Sequence, residues 1–380
     1  MRFVRETIGS RGPVTFAWFM EQALYHPVHG YYSSGRCVIG RSGDYFTNVS
    51  VGPFFGRLMA AQFSEMWETL GRPAQFTIVE QGAHGGEFAG DVFAAARAHH
   101  PEFFAAAGYR IVEPFPFLRK RQLAALAAFG VKVTWHDSLA DLPAFCGIHF
   151  SNELIDALPV HLVRWSGTEW MERHVDAQGT GFVWVDLPSP DDSAIAKRLD
   201  SVATSQLPVG YETEVNLAAT EWIAGVATKL HDGFVVAVDY GWPCDEFYHA
   251  SRATGTLRCY SQHRVVPSPL EQIGEVDITA HVEWTSLAEA AEQSGLTVLG
   301  FTDQHHFITA LLAGPLRDES AVATSAATAR QLQTLLHPHH LGMKFQYLLA
   351  AKGTAAAAAQ LSGLKFARDW RKALQWPLDH

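Results

Sequence analysis

Short apolar runs, several of them ending in a polar or acidic residue, recur along the chain at 76–80 (FTIVE), 109–113 (YRIVE), 131–135 (VKVTW), 146–150 (CGIHF) and 233–240 (GFVVAVDY). Runs of this length, rich in Val, Ile and aromatic residues and flanked by turn formers, read as buried β-strands. Alanine-rich stretches of helical make-up separate the first three, and the spacing of roughly 30 residues is that of one βαβ unit. This alternation predicts an α/β fold: an open, mostly parallel sheet with helices on both faces. Two later runs, 296–301 (LTVLGF) and 343–350 (MKFQYLLA), bring the set to seven strands, with a helix expected between them at about 316–336.

The rhythm breaks in defined places. Between 160 and 215 the runs HLVRW, TEWMERHV and GFVWVDL alternate or stay apolar and are separated by Ser166-Gly167 and by a Gln178–Gly181 turn, which predicts a β-rich insertion. A second insertion is expected at about 242–280. Residues 1–75 form an N-terminal helical and lid elaboration, with helices at 14–25 and 53–70. The main domain spans 76–350, and 351–380 is a tail or a last helix.

The chemistry gathers where the strands end. The first strand runs into Glu80-Gln-Gly-Ala-His-Gly-Gly86, in which Gly82, Gly85 and Gly86 allow positive φ and close backbone approach to a ligand. The helix after such a loop presents its N–H groups to an anionic group of a nucleotide-type cofactor. The second strand ends in Glu113, placed to accept both hydroxyls of a ribose. After the fourth strand comes Ser151-Asn-Glu-Leu-Ile-Asp-Ala-Leu-Pro159. There Asn152, Glu153 and Asp156 offer a polar wall, and two carboxylates suit bidentate capture of a guanidinium. The plainer alternative is that Asn152 or Asp156 caps a turn. A glycine-bounded loop with Asp44 and Thr47 has the make-up of a lid. Tyr240, at the end of the fifth strand, and His263 are further substrate-facing candidates, while Asp277 and Thr279 suggest a helix start.

Composition narrows the function. With 380 residues, 48% of them hydrophobic and 18% charged, the chain buries a large core. A formal net charge of -10 argues against nucleic-acid binding, which needs concentrated positive charge, and favours basic partners. No apolar run reaches the ~18 to 20 residues of a membrane span, and MRFVRETIGS lacks the apolar stretch of a signal peptide. A bacterial cytoplasm is the expected location, or a mitochondrial matrix after removal of a leader. Cys37, Cys146, Cys244 and Cys259 have no C-x-x-C spacing, and no carboxylate-spaced motif accompanies the 19 histidines, so neither a disulfide framework nor a metal centre is expected.

The order of these motifs resembles the MidA-like family of S-adenosylmethionine-dependent methyltransferases, which includes the mitochondrial arginine methyltransferase needed to assemble respiratory complex I. The resemblance rests on GPVTFAWFMEQALYHPVHGYY, GDYFT with FFG, the glycine loop, SNELIDALP, VDYG, GTLRCYSQHR and GEVDITAHVEW, and reaches to about residue 350. It implies a seven-stranded class I methyltransferase (Rossmann-like) sheet with S-adenosylmethionine over its C-terminal edge. Carried over, Glu80, Gly82, Gly85 and Gly86 hold the cofactor, Glu113 its ribose, and Asp137 and Ser138 its adenine, with Thr47 joining from the lid. Asn152, Glu153 and Asp156 match the N-E-x-x-D-A-L-P segment and would act on a protein substrate presenting arginine; homo-oligomerisation is left open. The chain departs from the family pattern E-L-G-P-G-R-G by placing His84 at the middle glycine. That departure keeps open a scaffold that binds a partner without transferring methyl groups. A nicotinamide dehydrogenase fits less well, lacking both an intact G-x-G-x-x-G and a catalytic dyad.

Overall fold

The computed structural model describes residues 2–34, 48–261, 264–316, 325–357 and 360–375. All seven expected strands are present: β1 (Phe76–Gln81), β2 (Ala107–Val112), β3 (Val133–His136), β4 (Phe145–Asn152), β5 (Leu230–Trp242), β6 (Thr297–Asp303) and β7 (Phe345–Lys352). They lie in the order β3-β2-β1-β4-β5-β7-β6. The first five are parallel, whereas β7 runs antiparallel between β5 and β6. By contacts the chain divides into two compact units, and this sheet belongs to the unit built from 46–154, 222–241 and 284–380.

Burial on both faces explains why the parallel strands are nearly unbroken apolar runs. On one face Ile78, Ile148, Phe150, Phe234 and Val236 pack against α1 (Phe54–Thr69) and α2 (Glu87–His99). Phe88 of α2 stacks on Phe150 with ring centroids 4.3 Å apart, and Phe63 of α1 meets the same ring edge-on at 5.7 Å. On the opposite face His149 meets Trp222 edge-on at 5.6 Å. Two central glycines permit the close approach of β1, β4 and β5. A Cβ on Gly147 (φ 145°) would lie 2.0 Å from the Thr77 carbonyl oxygen, and one on Gly233 (φ 138°) 1.9 Å from that of Gly147.

The other unit comprises 1–45, 155–221 and 242–283. The expected meander forms His161–Trp165, Trp170–Gln178, Gly181–Pro188 and Glu212–Val215, and Val14–Thr15 adds an edge strand by pairing with His174 and Val175. The aromatic face of the helix Phe16–Tyr25 fills this unit's core, with Phe16, Phe19 and Met20 against Val160, Leu162 and Val175. The N-terminal elaboration therefore does not hold together through residue 75: residues up to 45 group with the insertions, and 46–75 with the main sheet.

Three local expectations are corrected. Asp277 and Thr279 do not start a helix but belong to a strand, Asp277–Thr279, paired with Arg258–Ser261. The helix expected at about 316–336 is described only over Ala326–Leu336, and a further helix that was not expected, Gln304–Ala313, precedes it and ends at Gly314. The strand expected to end at 350 runs on to Lys352, so the tail begins later. It holds a 3-10 turn at Gly353–Ala357 and a short helix at Trp370–Ala373.

The glycine pair gives a stability test. Gly233→Ala forces a methyl into the backbone of β4, and overpacking of this kind costs about 1–3 kcal/mol or more. Urea unfolding of this variant should show a lowered midpoint, whereas Gly71→Ala, with open space around its Cα, should lose only the smaller cost of its left-handed backbone.

Candidate functional site

Strand order fixes where a ligand can enter. From β1 the chain winds outward through β2 and β3, then returns to place β4 and β5 on the other side of β1. At such a switch point the loops after the two neighbouring strands turn away from each other and leave a crevice at their C-terminal ends. Here that crevice is bounded by the loop after β1 and by Asn152, the last residue of β4, and Glu153, with Gln81 in register with Ser151.

The loop after β1 turns on left-handed residues. Gly82 (φ 84°), His84 (φ 43°) and Gly86 (φ 86°) all have positive φ, and α2 starts directly after. A Cβ on Gly82 would come within 3.5 Å of Leu154, so the loops after β1 and β4 lie side by side. Gly85 is not among the left-handed positions, contrary to expectation. A Cβ there would meet only the end of the exposed Glu87 side chain, which can swing aside, so the structure gives Gly85 no requirement for glycine. His84, the apparent departure, itself takes the conformation that a glycine would supply.

Beside the loop, Glu113 is 4% exposed. The Phe115 N–H donates to its Oε1 (3.0 Å), and Gln122 Nε2 of α3 (Pro116–Ala125) donates to its Oε2 (2.9 Å). The same Gln122 Nε2 donates to the His84 carbonyl (2.8 Å), while Trp135 Nε1 donates to Gln122 Oε1 (2.9 Å). Burial pushes the Glu113 carboxyl up to about 7, partly offset by the Phe115 and Gln122 hydrogen bonds and the Arg119 charge. Glu80 points across to β2, where Tyr109 Oη donates to its Oε2 (2.8 Å). Its burial pushes the carboxyl up to about 8, against the Tyr109 bond, which lowers it.

Asp137 is exposed and ion-paired with Arg119, whose guanidinium also donates to the Glu113 carbonyl. Ser138 organises a turn, its Oγ donating to Asp141 Oδ2 (2.6 Å). At the end of β4, Asn152 does not cap a turn with its side chain. Its Oδ1 accepts from Asn48 Nδ2 (3.0 Å), and its Nδ2 donates to Glu153 Oε1 (3.0 Å). Glu153 has φ 52° and donates its N–H to the Val238 carbonyl (2.9 Å).

Tyr240 lies within β5, not at its end, and packs edge-on against Phe345 at 5.9 Å. Asp156 falls in the other unit, buried; its carbonyl accepts from the Ala280 N–H (2.8 Å). Burial, then the charges of Asp156 and Asp277, push the nearby Tyr25 phenol up. Asp44, Thr47 and His263 lie outside the described residues. Gln122 and Asn48 were not anticipated as site residues. Asn48 directly follows the GDYFT motif and was within reach of the sequence, whereas Gln122 sits in a basic helix without any motif.

Comparison with known proteins meets this geometry. Residues 58–302, more than half of the chain, match the family model described as "Putative S-adenosyl-L-methionine-dependent methyltransferase". The chain belongs to this family. It is similar to a COG1565 superfamily member from Burkholderia thailandensis whose crystal structure holds S-adenosyl-homocysteine, with 30% identity, a TM-score of 0.86, and coverage of 97% of this chain and 95% of that one. Among curated proteins it is similar to the Drosophila melanogaster protein arginine methyltransferase NDUFAF7 homolog, mitochondrial, at 27% identity over 93% of this chain and 85% of that protein. The Homo sapiens protein arginine methyltransferase NDUFAF7, mitochondrial, is 25% identical over 81% of this chain and 72% of its own length.

The protein is an S-adenosylmethionine-dependent methyltransferase, and its residues suit that cofactor. Glu113 offers carboxylate acceptors for hydroxyls, and the left-handed loop brings backbone close to the crevice. Among the described residues no helix is long and apolar enough to cross a membrane.

Glu80 yields a pH prediction. Its carboxyl lies near 4.5 in the unfolded chain and about 8 when folded, so between those values the folded state holds a proton that the unfolded state has lost. Stability must then fall as pH rises through this window. Glu80→Gln keeps an acceptor for Tyr109 and removes the titration. Urea unfolding between pH 5 and 8 should show a flatter profile for the variant, and parallel profiles would contradict the assignment.

Proposed function

We propose that the protein methylates an arginine side chain of a protein substrate, with Glu113 holding the cofactor ribose and Glu153 holding the guanidinium. The observation that carries this reading is the Asn48–Asn152–Glu153 chain of hydrogen bonds at the switch point, next to the glycine loop. Two buried or half-buried amides fix a carboxylate at the strand edge where the reacting groups of an α/β enzyme meet. The names of the relatives support an arginine substrate.

When bound, S-adenosylmethionine supplies a methyl group on a positively charged sulfur, already electrophilic. What remains for the chain is alignment and exclusion of water. Arginine stays protonated, with a pKa above ~12. In this proposal the Glu153 carboxylate accepts N–H bonds from two guanidinium nitrogens and draws the positive charge toward itself, leaving the lone pair of one of these two nitrogens turned to the methyl carbon. As the N–C bond forms and the S–C bond breaks, that nitrogen gives up its proton to a Glu153 oxygen. The names of the relatives support a mitochondrial location, and the family resemblance extends the proposal to a role in assembling a respiratory complex.

His84 favours the rival reading of a scaffold, yet its left-handed φ keeps the loop's course without a glycine. The decisive measurements compare two variants. Glu113→Ala should weaken S-adenosylmethionine binding by about tenfold or more in calorimetry, the loss of hydrogen bonds to a charged group of roughly 1.5 to 3 kcal/mol. Glu153→Gln should bind the cofactor normally and methylate an arginine peptide at least about a hundredfold more slowly in single turnover, since alignment is worth ~7 to 11 kcal/mol in favourable cases. Normal turnover by folded Glu153→Gln would overturn the role given to this residue.

A further inference from the structure

Gln122 is fully buried, and its amide has one workable orientation. Two acceptors, the His84 carbonyl at 2.8 Å and Glu113 Oε2 at 2.9 Å, lie on one side of it, and one donor, the Trp135 indole N–H at 2.9 Å, on the other. A carbonyl and a carboxylate need N–H donors and an indole needs an acceptor, so the amide nitrogen must face the loop and Glu113. A Cβ on Gly86 would also meet the Gln122 Cα at 3.4 Å, so the turn into α2 rests directly on this residue. One side chain thus ties together the loop after β1, the acid after β2 and the indole of β3.

We propose that Gln122 is a positioning residue for the cofactor, fixing at once the course of the glycine loop and the direction of the Glu113 carboxylate. The inference rests on the proposed ribose-binding role of Glu113. It gives a side chain without a motif a task in cofactor affinity, although it need not touch the cofactor.

A purely structural role and a positioning role differ in their pH signature. The Gln122 N–H stabilises the charged form of Glu113, whose carboxyl lies at about 7. The other charged or titratable groups around Glu113 are Arg119 of α3, Asp137 paired with it, His136 at the end of β3 and His84 in the loop. Gln122→Met keeps the volume and removes the donors, so the Glu113 carboxyl should rise and the ionised, hydroxyl-accepting form should need higher pH.

The test is equilibrium binding of S-adenosylhomocysteine from pH 6 to 9.5 to the parent, Gln122→Met, Trp135→Phe and Glu113→Ala, with circular dichroism to check folding. For Gln122→Met the midpoint of the affinity profile should move up by about one pH unit, which means roughly fivefold weaker binding at pH 7. Part of that loss should be recovered by pH 9.5. Trp135→Phe, which frees the amide to turn, should move the midpoint the same way by less, and it serves if Gln122→Met does not fold. A uniform loss with an unmoved midpoint, or no change in either variant, overturns the inference. If Glu113→Ala binds with the parent's affinity and profile, the ribose reading itself fails; if it binds weakly while both other variants keep the parent midpoint, only the role of Gln122 fails.

Discussion

A parallel sheet delivers the ends of all its strands, and therefore its functional loops, to one edge. Where winding reverses, that edge opens. In this chain the reversal lies between β1 and β4, and the candidate site residues of the main unit gather along that edge. Gly147 and Gly233 let the central strands come close enough for the sheet to form, while Phe63, Phe88 and Phe150 hold α1 and α2 against it. The rigidity of this packing lets two short loops present carboxylates in fixed positions.

The two acids at the ends of β1 and β2 look alike in sequence, yet they differ in use. Glu80 turns inward to a tyrosine, and burial raises its carboxyl to about 8, so a proton stays on it at neutral pH. Glu113 has three groups that favour its charge and lies at about 7, so it is ionised over a range in which hydroxyl groups remain neutral donors. The environments of the two acids therefore differ: Glu80 is tied to the neighbouring strand through Tyr109, while Glu113 keeps three groups that favour its charged form.

The sheet was legible because fully buried parallel strands leave long apolar runs, and the loop was legible because its glycines and acids stand at strand ends. Less could be read where partners are remote in sequence. Val14 and Thr15 pair with Val175 and His174, a choice that no local pattern announces, so the grouping of the N-terminal residues with the insertions stayed hidden. Asp277-Ile-Thr279 is too short for its alternation to outweigh the capping preference of Asp, and pairing with Arg258–Ser261 makes it a strand. Gln122 carries no signal because its role exists only once the helix, the loop and β3 have converged. Gly85 shows the limit of reading a glycine from sequence, since in the structure it has no positive φ and no backbone crowding.

Strain at the site edge adds a last argument. Among the described residues five non-glycine positions have positive φ, and two of them, His84 and Glu153, follow the adjacent strands β1 and β4. Each such conformation costs on the order of 1–3 kcal/mol and persists only where surrounding contacts impose it. The contacts are identifiable: Gln122 grips the His84 carbonyl, while the Val238 carbonyl and the Asn48–Asn152 pair hold Glu153. Glycine at either position would avoid the cost. At residue 153 it would also delete the carboxylate proposed to hold the substrate. At residue 84 the carbonyl accepts from Gln122, so the left-handed backbone is what places that acceptor in reach of the helix.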